Sequence, residues 1–139
     1  MRRKILVVDD DPDQLEVVAW SLKKAGFAIG TASNGVDALV KTKSVTPDLI
    51  VLDLMLPELN GFDICKTLRK NPATATIPII MLTGMRSEFT RLAGMESGVN
   101  LFLTKPYLPS ELVAKVESLL KQTYSKSSGK SKTERARLQ

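Results

Sequence analysis

Five short aliphatic runs, each followed by a longer segment with helical spacing, constrain this chain more than any other feature. The runs lie at Lys4–Asp9, Phe27–Ala32, Asp48–Asp53, Ile77–Leu82 and Val99–Leu103. The first and third are nearly continuous Ile, Leu and Val rather than an alternation with polar residues. That is the pattern of strands covered on both faces in a parallel sheet. Between the runs, Asp11 offers a helix cap, Pro12 suits a first turn, and Gln14 sits three residues after the cap. Leu15, Val18, Ala19 and Leu22 follow at helical spacing as far as Gly26. Asn34-Gly35 opens a helix carrying Val36, Leu39 and Val40, which Pro47 breaks. Asn60-Gly61 turns into a helix with Phe62, Cys65 and Leu68 on one side. Ser87 caps a fourth, containing Phe89, Leu92 and Ala93 and ending near Gly98. Pro109–Lys121 is the fifth, with Leu112, Val116, Leu119 and Leu120. Strand and helix alternating in this way predict an α/β domain: right-handed crossovers place helices on both faces of a parallel sheet.

At 139 residues the chain has room for one such domain and no second catalytic fold. It contains no histidine, which excludes Ser-His-Asp and Cys-His nucleophile pairs, imidazole acid-base chemistry and His-ligated metals. Cys65 is the lone cysteine, so neither an internal disulfide nor a Cys cluster is available. The net charge of +5 is local. Residues 121–139 hold six Lys or Arg against Glu134 alone, which leaves 14 basic and 14 acidic side chains in residues 1–120. The domain is therefore read as 1–121, and 122–139 as a basic, Ser- and Lys-rich segment without apolar periodicity, a disordered tail or a truncated linker. The apolar run after Met1-Arg2-Arg3-Lys4 is four residues long, short of the ~7–15 of a signal peptide. The expectation is a soluble cytoplasmic protein with no membrane role.

In parallel α/β sheets ligands bind outside the carboxyl ends of the strands. Here those ends carry Asp9-Asp10-Asp11, Asp53, Thr83-Gly84 and Thr104-Lys105-Pro106. Taken singly, Asp11 is a helix cap, Thr83 an N-cap and Lys105 a surface lysine. Together they set three acids, a hydroxyl and an ammonium on one edge of the sheet. Adjacent carboxylates such as Asp9 and Asp10 repel each other and call for a cation, and hard oxygen ligands suit Mg²⁺. Asp53 is too far from Gly61 to cap the next helix. A carboxylate can accept a phosphoryl group only where charge on the phosphoryl oxygens is neutralised, and a cation, a lysine and a hydroxyl do that.

Four motifs in this order resemble the receiver domain of two-component response regulators: Val7-Val8-Asp9-Asp10-Asp11-Pro12, Leu52-Asp53 through Pro57 to Gly61, Leu82-Thr83-Gly84, and Leu103-Thr104-Lys105-Pro106. The resemblance covers residues 4–121 and implies a flavodoxin-like fold: five parallel strands in the order 2-1-3-4-5, with five helices. It implies that Asp53 is the phosphoacceptor and that Mg²⁺ is held by Asp10, Asp53 and the backbone carbonyl of Met55, with Asp9 acting through water. It implies that Lys105, before a cis bond to Pro106, contacts the phosphoryl group, with Gly84 leaving it room, and that Thr83 and Phe102 are the switch pair. Met55 and Met85 fall where the lifetime of the phosphoryl group is tuned. The implied partners are a histidine kinase or histidine phosphotransfer protein as donor, and an output protein or effector domain. On this reading the chain is a signalling switch rather than an enzyme.

Three departures stand out. Asn100-Leu101 replaces acids that pair subunits in many dimeric receivers. Leu108 replaces a capping Ser or Thr, which predicts a weaker start for the fifth helix. Met85, Phe89 and Met95 form an apolar set on the fourth helix that suits the core or a partner face, and the core is the expectation. Two other classes are weighed. An aspartyl phosphatase of the haloacid dehalogenase kind would use Asp9 and Asp11, but it gives Asp53 no role. A DNA-binding role for the basic tail predicts weak, non-specific, salt-dependent affinity.

Overall fold

The computed structural model describes residues 2–85 and 87–122. The strands are β1 (Lys4–Val8), β2 (Ala28–Ala32), β3 (Leu49–Asp53), β4 (Ile79–Thr83) and β5 (Leu101–Thr104). The helices are α1 (Pro12–Lys24), α2 (Gly35–Val45), α3 (Gly61–Lys70) and α4 (Glu88–Ser97). A fifth, α5, runs over 109–122. The sheet is parallel in the order β2-β1-β3-β4-β5.

Side-chain period two divides the core between the sheet faces. Ile5, Val7, Leu49, Val51, Ile80 and Leu82 pack with Val18 and Leu22 of α1 and with Leu112, Val116 and Leu120 of α5. Leu6, Val8, Ile50, Leu52, Ile79 and Met81 pack on the other face with Ala38 of α2 and with Ile64, Cys65 and Leu68 of α3. β3 and β4 are buried along their whole length, and each buried Leu or Ile stabilises the fold by ~1.5–3 kcal/mol.

The cap residues act as expected. Asp11, Asn34, Asn60 and Ser87 each accept a backbone N–H of the first turn that follows. At α5 the missing hydroxyl of Leu108 is compensated from the other side. The Glu111 carboxylate accepts the Leu108 N–H at 3.1 Å, half of a capping box.

Two helices turn a different face inward from the one the apolar pattern suggests. On α2 the buried residues are Gly35, Ala38 and Thr42, while Val36 and Val40 face solvent. On α4 they are Thr90, Gly94 and Ser97. The expectation that Met85, Phe89 and Met95 join the core is corrected: they are 49%, 81% and 64% exposed. Local hydrogen bonds explain both cases. Thr42 donates to the Ala38 carbonyl at 2.7 Å and Ser97 to that of Ala93 at 2.7 Å, so these hydroxyls are satisfied without water.

Candidate functional site

The register brings the strand ends level. Val8 lies opposite Leu52, Asp53 opposite Leu82, and Thr83 opposite Thr104. The residue that follows or ends each strand therefore enters one shallow basin. Asp9, Asp10 and Asp53 each bring a carboxylate oxygen within 4.8 Å of the others. Asp9 and Asp53 are buried, and Asp10 is exposed at the mouth. Lys105 Nζ reaches Asp53 Oδ1 at 3.3 Å. The Lys105 N–H also extends the β4 ladder by donating to the Thr83 carbonyl at 2.8 Å, and the Lys105–Pro106 bond is cis.

Close backbone approach fixes Asp53. A Cβ on Gly61 would stand 2.6 Å from Met81 Sδ and 2.9 Å from the Asp53 carbonyl oxygen. Glycine at 61 thus lets α3 begin directly against the end of β3, a role that its reading as a turn residue did not include. Asp9 Oδ1 accepts the Asp11 N–H at 3.0 Å, which holds that carboxylate in place. Asp11 itself accepts the Asp13 N–H at 3.0 Å. It caps α1, and the Asp9 and Asp11 pair of a phosphatase is not assembled.

Burial raises the Asp53 pKa. The Lys105 charge opposes that shift, the Asp9 carboxylate adds to it, and hydrogen bonds from Lys105 and the Met55 backbone favour the ionised form. A carboxylate disfavoured in this way, beside two more, is the donor set a hard divalent cation fits.

Thr83 Oγ1 is buried and accepts the Met85 N–H at 2.9 Å. Gly84 borders open space, where a Cβ would meet no heavy atom within 4 Å. Met55 and Met85 stand at the rim with 61% and 49% of their surface exposed, so neither is a core packing residue. Phe102 is half-buried, its ring edge-on to Phe62 at 6.4 Å.

Sequence reasoning passed over Tyr107. It lines a groove of about 480 Å³ with Lys105, Gln14 and Val17. Burial, with Asp9 and Asp53 adding to it, pushes its pKa up to about 12, so it stays protonated. Trp20, 61% exposed on α1, carries the Lys24 ammonium 4.9 Å from its ring centre. No described helix is long and apolar enough to cross a membrane.

Residues 5–117 match the response regulator receiver domain family. The alkaline phosphatase synthesis transcriptional regulatory protein PhoP of Bacillus subtilis is 42% identical over 123 residues, covering 88% of this chain and 50% of PhoP. The DNA-binding response regulator MtrA of Mycolicibacterium smegmatis is 42% identical over 122 residues, covering 88% of this chain and 52% of MtrA. This chain thus spans about half the length of these relatives. Among solved structures, a response regulator of Chloroflexus aurantiacus superposes with a TM-score of 0.82 at 36% identity, covering 87% of this chain and 99% of that one. The chemotaxis protein CheY4 of Vibrio cholerae also gives 0.82, at 30% identity over 85% of this chain and 98% of its own. The chain belongs to the response regulator receiver domain family. Domains of this family are signalling switches of two-component systems and use Mg²⁺ at an acidic pocket, and here Asp9, Asp10 and Asp53 form such a pocket.

Proposed function

We propose that this chain is a phosphoryl-accepting switch whose acceptor is Asp53. The observation that carries the reading is the convergence of the Asp53 carboxylate with Asp9 and Asp10 on one side and the Lys105 ammonium at 3.3 Å on the other. An Asp53 carboxylate oxygen attacks the phosphorus of a phosphohistidine in line. The O–P bond forms as the P–N bond breaks, and the imidazole leaves with the electron pair and is reprotonated by solvent. Lys105 shifts from the carboxylate to a phosphoryl oxygen, and the Thr83 hydroxyl turns to another. Gly84 leaves that space clear. When bound by Asp10, Asp53 and the Met55 carbonyl, with Asp9 acting through water, Mg²⁺ supplies positive charge against the phosphoryl oxygens.

The donor is a histidine kinase or a histidine phosphotransfer protein. The groove between α1 and the segment after β5 supports its docking there, since exposed Val17 lines it together with Tyr107 and Pro109. Hydrolysis returns the switch to rest. Met55 and Met85 border the path of the attacking water, and a thioether can neither orient nor activate it, so the phosphoryl group is long-lived. The relatives' names, a transcriptional regulatory protein and a DNA-binding response regulator, point to gene regulation as the output, through an output protein or an effector domain.

The test is phosphorylation by acetyl phosphate with Mg²⁺. Label should appear on wild type as a hydroxylamine-sensitive acyl phosphate and be absent from Asp53→Asn. Full labelling of that variant would sink the reading.

A further inference from the structure

Helix α4 is notched where it crosses β5. A Cβ on Gly94 would stand 2.1 Å from Cζ and 2.5 Å from Cε2 of Phe102, and 3.3 Å from Cε1 of Phe62. No other residue type allows ring and helix to lie this close. Glycine within a helix carries an entropic cost. Gly94 does not adopt positive φ, so its backbone gives no compensating reason. The reason is the ring, which also meets Phe62 edge-on at an interplanar angle of 78°. Phe102 also borders an open groove of about 490 Å³ between α4 and α5, walled by Thr83 and Thr90. An apolar cavity of ~150 Å³ already accommodates benzene.

The Thr83 and Phe102 switch pair belongs to the family reading; we propose in addition that Gly94 is a positioning residue of that pair, which shapes the resting seat of the Phe102 ring beneath α4, from which the ring leaves for the groove beside Thr83. This rests on the reading of Asp53 as phosphoacceptor. At rest the Thr83 hydroxyl is tied to the Met85 N–H and stands in the groove wall. Turning toward a phosphoryl oxygen, it vacates space on the groove side. The ring then leaves the notch, and α4 loses the prop beneath its middle turn. Phosphorylation and ring position are thereby coupled, and any change that spoils the notch favours the phosphorylated form.

Gly94→Ala fills the notch and leaves the groove untouched. Titrated with beryllofluoride and Mg²⁺, the full chain carrying Gly94→Ala should bind about threefold or more tighter than wild type. Phe62→Leu trims the far wall of the notch without adding bulk, so it should shift affinity the same way even if Gly94→Ala fails to fold. In a Phe102→Ala background, where no ring remains to be seated, Gly94→Ala should leave the affinity unchanged. Nuclear Overhauser contacts read without ligand should place the Phe102 ring against Phe62 in wild type and against the Thr83 methyl in Gly94→Ala. Unchanged or weaker binding in both Gly94→Ala and Phe62→Leu would overturn the proposal. So would a ring still against Phe62 in folded Gly94→Ala. Wild type that binds no beryllofluoride would overturn the phosphoacceptor reading and the coupling with it, while the ligand-free contacts would still decide whether the notch seats the ring.

Discussion

Burial raises the pKa of Asp53, and Lys105 only partly offsets it. The folded protein therefore holds a proton there more readily than the unfolded chain does. Between the ordinary value of 3.8 and the raised folded value, stability falls as pH rises, because the folded state binds more protons over that window. Below the window the contribution is complete; above it, at neutral pH, it is lost. Asp53→Asn removes the titration. In EDTA at pH 7 the variant should melt about 3 °C above wild type, the effect of roughly 1 kcal/mol in a domain of this size. The two melting curves should converge as pH falls through the window. Added Mg²⁺ should close or reverse the gap by mass action on wild type. A variant that melts below wild type in EDTA would mean that the Lys105 ion pair outweighs burial. The acids, Thr83 and Lys105 were legible because each ends a strand, and a parallel sheet collects its strand ends. Gly61 and Gly94 were not legible in their roles, because what each makes room for is a side chain on a strand that only the fold brings against the helix: Met81 for one, Phe102 for the other.

Elements were legible where apolar spacing and caps agreed. They misled where a helix buries hydroxyls that bond to its own carbonyls, as Thr42 and Ser97 do. Polar in sequence, those residues are apolar in effect, so the buried face of α2 was not legible and that of α4 was read wrongly. The anchor of α4 was equally invisible. Arg69 Nε and Nη2 donate to the Gly98 carbonyl at 3.0 and 2.9 Å, and Nη1 donates to the carbonyls of Ala75 and Ile77 at 3.0 and 2.7 Å. Nη2 also reaches Asn100 Oδ1 at 2.9 Å, and that oxygen accepts the Ile79 N–H at 2.8 Å. One guanidinium thus ties the end of α3 to the end of α4 and to the starts of β4 and β5. Asn100, noted in the sequence for the acid it replaces, belongs to this tie. A lysine has no planar fork to span these acceptors. Arg69→Lys should cost about 3 kcal/mol in urea denaturation, since hydrogen bonds to charged groups contribute ~1.5–3 kcal/mol each. A cost under ~1 kcal/mol would show the tie to be redundant.

For the molecule as a whole, the charge balance separates domain from tail. Residues 1–120 are neutral in sum, and the excess of +5 belongs to 121–139. Residues 123–139 lie outside the described part, so the reading of a disordered tail rests on composition alone. Deleting 125–139 should change unfolding free energy by no more than ~0.5 kcal/mol and leave acetyl phosphate labelling intact. A loss above ~1 kcal/mol would mean that the tail docks on the domain.

The strand order has a last consequence. Asp53 ends β3, the middle strand, which is flanked by β1 and β4, while Phe102 lies on β5, which pairs only with β4 among the described strands. Under the proposed function, chemistry sits where the ladder is doubly held and least able to yield. The side chain proposed to move sits at the margin, where yielding breaks no second ladder. Thr83 on β4 stands between them, so on that reading a message written at the centre travels one strand at a time toward the border. Were the order reversed, with the acceptor on the border strand and the mobile ring in the middle, the mark would lie open to water and reading it would mean splitting the sheet.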